Sequence, residues 1–167
     1  MHEQFLQQAI ALAEDNVTSG QGGPYGAIVV KDNQLIAASG NKVTSTLDPT
    51  AHAEIVAIRQ ACKMLNDFQL HDCVLYTSCE PCPMCVGAIY WSRLAKVYYA
   101  CSRFDAAAAN FDDSFIYDEI LVPPSQRSIA MLHLNLPNAL KPFKLWTEKS
   151  DKIAYWAFMQ GMGTPKS

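Results

Sequence analysis

Two short stretches hold the side chains best suited to chemistry. His52-Ala53-Glu54 sets an imidazole two residues before a carboxylate, and Pro81-Cys82-Pro83-Met84-Cys85 sets two thiols three residues apart. Nitrogen and thiolate are donors that zinc takes tetrahedrally, and a catalytic zinc site keeps three protein ligands and leaves the fourth position to water. One histidine and two cysteines make such a set. On a helix, Cys82 and Cys85 share a face and can grip one ion. Near the positive end of the helix dipole, both thiols are biased toward the thiolate that binds metal. Glu54 then stands beside the ion, unligated, as the group that carries protons.

These residues constrain the elements that carry them. Residues two apart point to nearly opposite sides of a regular helix, so His52 and Glu54 converge only from a first turn, where side chains lean toward the N-terminus. The ion is therefore expected between the N-termini of two helices. Pro81 suits the first position of the second helix, where a missing N–H costs nothing, and Pro83 presses Cys82 away from helical angles. Cys79, Cys82 and Cys85 also spell a CxxCxxC run, but Ile89-Tyr90 stand where an iron–sulfur run needs Cys-Pro. Cys79, Cys62, Cys73 and Cys101 read as packed residues. A purely structural ion would need a fourth protein ligand, for which Cys79 is the nearby candidate.

The surrounding pattern supplies a scaffold. Glu3 to Val17 carries Phe5, Ala9, Leu12 and Ala13 at helical spacing and ends in the Gly-rich Ser19 to Pro24. Tyr25 to Val30 and Gln34 to Ala38 flank the turn pair Asp32-Asn33, as in a hairpin. Asp48-Pro49-Thr50 is expected to open a helix to about Leu65, capped by Asp48 or Thr50. Val74 to Thr77 and Val97 to Ala100 read as strands, and Pro81 to about Trp91, Phe104 to Asn110 and Ser114 to Leu121 as helices. Ile129 to Leu134 is a candidate last strand. This order favours an α/β fold, a three-layer α/β/α sandwich around a central mixed sheet.

Past Pro123-Pro124 and Pro137 to Pro142, Leu145 to Met159 offers Trp146, Tyr155, Trp156 and Phe158 on an expected terminal helix. The organisation read from this is a catalytic domain over 1–140 and a helical tail over 141–167. That tail packs on its own domain or on a second copy.

Composition narrows the function classes. The 167 residues fit one domain, and 50% apolar residues exclude a disordered chain. Only 17% are charged, against a usual share of about 25%, which favours a surface covered by another subunit. A net charge of −3 leaves no chain-wide basic footprint for nucleic acid, although the last 27 residues are locally positive. No segment is long and apolar enough to span a membrane. Glu3, with no basic cluster ahead of an apolar run, gives no secretory signal, so a cytoplasmic protein is expected.

His-x-Glu followed by Pro-Cys-x-x-Cys is the signature of zinc nucleobase deaminases. From the first helix to about Tyr155, the chain resembles the short bacterial guanine deaminases of the cytidine-deaminase fold. The likeness is densest in Gly22-Gly23-Pro24-Tyr25-Gly26-Ala27, in 48–54, in 76–85 and in Phe111-Asp112-Asp113-Ser114-Phe115-Ile116-Tyr117. The metal motif marks the superfamily; the Phe-Asp-Asp-Ser-Phe stretch points to guanine.

The resemblance implies one catalytic zinc ion held by His52, Cys82 and Cys85, and hydrolysis of guanine to xanthine and ammonia. It implies proton transfer by Glu54 with Asp113 as a second carboxylate, and base contacts from Asn41, Tyr25 and Ala53. Guanine offers N–H donors at N1 and N2 that a carboxylate accepts, whereas adenine has only an acceptor at N1. Asp113 could instead cap the helix from Ser114, Asn41 could close the hairpin, and Tyr25 could be core packing. The resemblance further implies a homodimer whose terminal helices exchange, bringing Tyr155 into the partner's pocket; interface packing is the other reading of Tyr155. Guanosine, a related aminopurine or triazine, and a tRNA adenosine remain alternative substrates.

Overall fold

The computed structural model describes residues 1–155. The chain divides into two compact units, Met1–Val122 and Pro123–Ser167. The break falls at Pro123-Pro124, earlier than the 140/141 boundary expected from sequence, because paired prolines interrupt regular structure there.

The first unit begins with α1 (His2–Thr18), then β1 (Gly26–Lys31) and β2 (Gln34–Gly40). Asp32 and Asn33 join the strands with φ of 49° and 62°. Positive φ at both central residues matches the right-handed twist of a hairpin, and Asp and Asn tolerate it. A short helix α2 (Val43–Thr46) precedes α3 (Ala53–Leu65), β3 (Cys73–Cys79), α4 (Pro83–Ser92), β4 (Lys96–Cys101), α5 (Arg103–Ala108) and α6 (Ser114–Leu121).

The sheet order is β2-β1-β3-β4, with β1 antiparallel to both neighbours and β3 parallel to β4. The parallel pair needs a crossover, and α4 supplies it. β1 is buried on both faces, and its period of two divides the core. Ala27 and Val29 pack with Ala53, Ala57, Ile58 and Ala61 of α3. Ile28 and Val30 pack with Ala9 of α1 and Tyr76 of β3. Helices thus cover both faces of a mixed sheet, the α/β/α sandwich read from sequence.

Several local expectations change. α3 starts at Ala53 rather than near Asp48, because the Asp48 carboxylate accepts from Thr50 N–H at 2.8 Å and Thr50 Oγ1 at 2.7 Å and forms its own turn. α4 starts at Pro83, with Cys82 as an extended N-cap at ψ 167°. Pro83 disfavours helical angles in the residue before it, so Pro81 stays outside the helix. Cys101, expected to be packed, is exposed on the edge strand β4.

In the second unit, a 3-10 turn spans Pro124–Gln126 and α7 spans Lys141–Glu148. The expected strand at Ile129 to Leu134 does not form: among the described residues no strand offers it a ladder, and its Ile129, Met131, Leu132 and Leu134 are exposed. The terminal helix starts and stops earlier than expected. Pro142 is tolerated in its first turn, and Lys149 turns extended at its end. Tyr155 lies beyond α7, its ring edge-on to Trp146 with centroids 6.0 Å apart. Trp156 and Phe158 lie outside the described residues.

Candidate active site

Two helix N-termini in the first unit meet at the metal-ligand set. His52 is the N-cap of α3 and Cys82 the N-cap of α4, both extended. Cys85 lies one turn into α4 and is fully buried. His52 Nδ1 stands 3.5 Å from Cys82 Sγ and 3.6 Å from Cys85 Sγ. A tetrahedral ion with zinc's usual Zn–N and Zn–S lengths sets N and S about 3.6 Å apart, so the donors fit zinc in kind and in spacing. The three donor atoms all lie within 4.8 Å of one another, and among the described residues no fourth His, Cys, Asp or Glu joins them. Cys79 lines the same cavity as His52 and Cys82 but stays outside the set, its thiol donating to the Ser102 carbonyl at 3.6 Å. A closed structural site therefore lacks its fourth ligand.

Of the two thiols expected to favour the thiolate, one does and the other does not. The Cys82 thiol is held well below its ordinary range, first by its hydrogen bond with Cys85 and also by His52, against burial. Cys85 moves the opposite way for the same reason, with burial adding to it. His52 is raised chiefly by its hydrogen bond to Cys82.

Glu54, 5% exposed on the first turn of α3, has its carboxyl raised mainly by burial. Desolvation disfavours the charged form, so this acid retains a proton more readily than a surface glutamate. It lines a cavity of about 500 Å³ together with His52, Cys82, Asn41, Tyr25 and Asp113.

The cavity walls separate the competing readings of several residues. Asp113 is the N-cap of α6 but makes no side-chain cap hydrogen bond. Its neighbour Asp112 does that work, Oδ1 accepting from Ser114 N–H at 2.9 Å. Asp113 is raised by burial and then by the nearby Cys82, while Arg103 opposes the shift. Asn41 is 7% exposed, and its Oδ1 accepts from Val43 N–H at 3.1 Å. With the oxygen so engaged, the NH₂ group is the part of the amide left to serve a ligand. Tyr25 meets Phe111 edge-on at 5.3 Å on the same wall. Ala53, expected as a base contact, is fully buried in the core under α3 and is not among the residues that line the cavity. Tyr155 lies in the second unit.

Sequence reasoning gave no role to Glu80, Arg103, Phe111 or Asn16. The first three line the cavity. The Arg103 guanidinium stacks 4.6 Å over the Tyr117 ring, and the Tyr117 hydroxyl donates to Pro81 O at 3.4 Å. This ties α6, with Asp113 at its head, to the loop that carries Cys82. Asn16 does not line the cavity, yet it extends the Ala9, Ala13 stripe of α1 as its one buried polar member. A polar residue within such a stripe was the readable signal.

Residues 1–101 match the family model of the cytidine and deoxycytidylate deaminase zinc-binding region, and the chain belongs to this family of zinc-binding deaminases. Within it, the chain is 54% identical to the guanine deaminase of Bacillus subtilis, over 92% of this chain and 99% of that one. The crystal structure of that enzyme superposes with a TM-score of 0.92, covering 93% of this chain. A guanine deaminase structure from Nitrosomonas europaea is 34% identical with a TM-score of 0.60, over 65% of this chain and 63% of that one. The tRNA-specific adenosine deaminase of Aquifex aeolicus is 43% identical over 59% of this chain and 64% of its own length.

Proposed function

We propose that this protein is a zinc-dependent guanine deaminase, hydrolysing guanine to xanthine and ammonia. The observation that carries the reading is one cavity lined by His52 and Cys82 of the ligand set, the buried acid Glu54, and Asn41 and Asp113. The 54% identity to a guanine deaminase, along almost the whole of both chains, supports it.

His52, Cys82 and Cys85 would hold the ion. When bound, zinc makes water nucleophilic near neutral pH. Glu54 takes a proton from the attacking water, delivers it to a ring nitrogen and later helps protonate the departing amine. Its burial suits this shuttle, because the protonated form is accessible. Asp113 accepts from the N1–H and amino edge of guanine; adenine would oppose a lone pair to the same carboxylate. A site built on such hydrogen bonds rejects the wrong base strongly, because a buried polar group is then stranded. The NH₂ of Asn41 donates to an acceptor of the purine, and Tyr25 packs against its ring.

The working assembly is a homodimer in which the tails over 141–167 exchange, so that the partner subunit's Tyr155 completes the pocket formed by the domain over 1–140. The low charge fraction and the apolar side chains left exposed support this assembly.

Ammonia release from guanine, guanosine, adenine, cytosine, cytidine and an adenosine-bearing tRNA anticodon stem-loop tests the reading. Guanine is expected to be the favoured substrate. Turnover of the RNA alone would move the protein to the tRNA adenosine deaminases.

A further inference from the structure

Asn16 is a buried polar residue, 4% exposed, that the proposed reaction does not use. It occupies the last turns of α1, where the inner stripe would otherwise continue with an apolar side chain. Its Nδ2 carries two protons, and both are engaged: one with Gly23 O at 2.8 Å, the other with Asn41 O at 2.9 Å. Its main-chain carbonyl accepts from Gln21 N–H at 3.0 Å and Gly22 N–H at 3.3 Å, turning the chain toward β1. One carboxamide therefore joins the segment that enters β1 at Tyr25 to the segment that leaves β2 at Asn41. Between those segments, Asn41 N–H donates to Tyr25 O at 2.9 Å.

The surrounding backbone encloses this carboxamide. A Cβ at Gly40 would come within 2.6 Å of Asn16 Cγ, and one at Gly22 within 3.0 Å of its Nδ2. Gly40 has no room for a side chain while Asn16 stays in place, and Gly22 has none because the Asn41 carbonyl oxygen blocks it. An apolar replacement would take the Asn16 donor from the buried Asn41 carbonyl and leave the Gly23 carbonyl with Tyr25 N–H alone, and stripping a buried acceptor of its donor is costly. Asn16 itself does not line the cavity, whereas Gly23, Tyr25 and Asn41, which it joins, do. What it fixes is the spacing of Tyr25 and Asn41 on the cavity wall.

We infer that Asn16 is a positioning residue of the purine site, setting the Tyr25 face and the Asn41 amide in register with the base. The inference rests on the proposed base contacts of those two residues. Displacements of about 1 Å in such a constellation cost up to about 10²-fold in rate. A purely architectural Asn16 would instead lower stability and leave substrate affinity alone.

Steady-state kinetics on guanine with zinc-loaded, full-length protein separates the two. Asn16→Ser and Asn16→Asp are compared with wild type, with Asn41→Ala, and with Val30→Ala, which thins the core beneath α1 away from the site. The Asn16 variants and Asn41→Ala are expected to raise KM about tenfold or more, with kcat within about threefold and zinc content unchanged. Val30→Ala should melt earlier yet keep the wild-type KM. If the Asn16 variants do not fold, Gly40→Ala, whose methyl displaces the carboxamide without removing it, is expected to give the same rise. Wild-type KM in the Asn16 variants or in Gly40→Ala, or an equal rise in Val30→Ala, overturns the inference while the base-contact reading survives on Asn41→Ala. A wild-type KM in Asn41→Ala overturns that reading, and the inference with it.

Discussion

Glu54 and Asp113 are two carboxyl groups of one cavity, both raised by burial, and the proposed reaction gives them different tasks. Glu54 follows His52 by two residues and lines the same cavity. Glu54→Gln keeps the shape and removes the proton carrier, so it should retain zinc while kcat falls by about 10²–10⁴. Metal analysis beside an ammonia assay reads both outcomes; an active mutant removes Glu54 from its role. In the proposed reaction Asp113 recognises the base, while Asp112 bonds the first turn of α6. Asp113→Asn turns an acceptor into a partial donor against the N–H edge of guanine and should cost about 10²-fold or more in kcat/KM with the melting temperature unchanged. Asp112→Ala, which removes the bond to Ser114, should do the reverse, lowering stability with little effect on the site that forms.

At the scale of elements, the site depends on two helices that begin with extended caps at one edge of a sheet. β1 holds this arrangement because it is buried on both faces. Ile28→Ala, at a position with no exposure, should cost about 2–5 kcal/mol and lower the melting temperature without changing the zinc stoichiometry of the folded fraction. The hairpin, the sandwich order and the pairing of His52 with Cys82 and Cys85 were legible because turn residues, periodicity and ligand spacing are local signals. Helix starts were less so. Asp48 is as good a cap in composition as any residue, but it spends its carboxylate on Thr50, and His52 caps α3 without a side-chain bond. The Ile129 to Leu134 stretch is an apolar run of strand length that finds no partner among the described residues, which no single segment can reveal. Asn16 was missed because its bonds go to backbone carbonyls seven and 25 residues away, and such bonds leave no motif.

For the whole molecule, apolar exposure is the conspicuous feature. Phe104 is 71% exposed and Leu121 84% in the first unit, and Leu134 75% and Phe143 70% in the second. Contiguous apolar surface marks a contact face, and these side chains are ones that the proposed dimer would cover. Sedimentation should therefore give a particle of twice the 18.5 kDa chain mass. Truncation after Ser150 should impair association and catalysis together. A fully active truncated monomer would contradict the exchange of tails and the place given to Tyr155. Among the described residues no helix is long and apolar enough to cross a membrane.

The central claim is that a three-ligand zinc centre hydrolyses guanine, and metal depletion followed by restoration tests it most directly. Ammonia and xanthine release from guanine should vanish when the ion is chelated and return in proportion to zinc added back, saturating at one ion per chain. Zinc-loaded protein that leaves guanine intact, or depleted protein that still turns it over, would contradict the account.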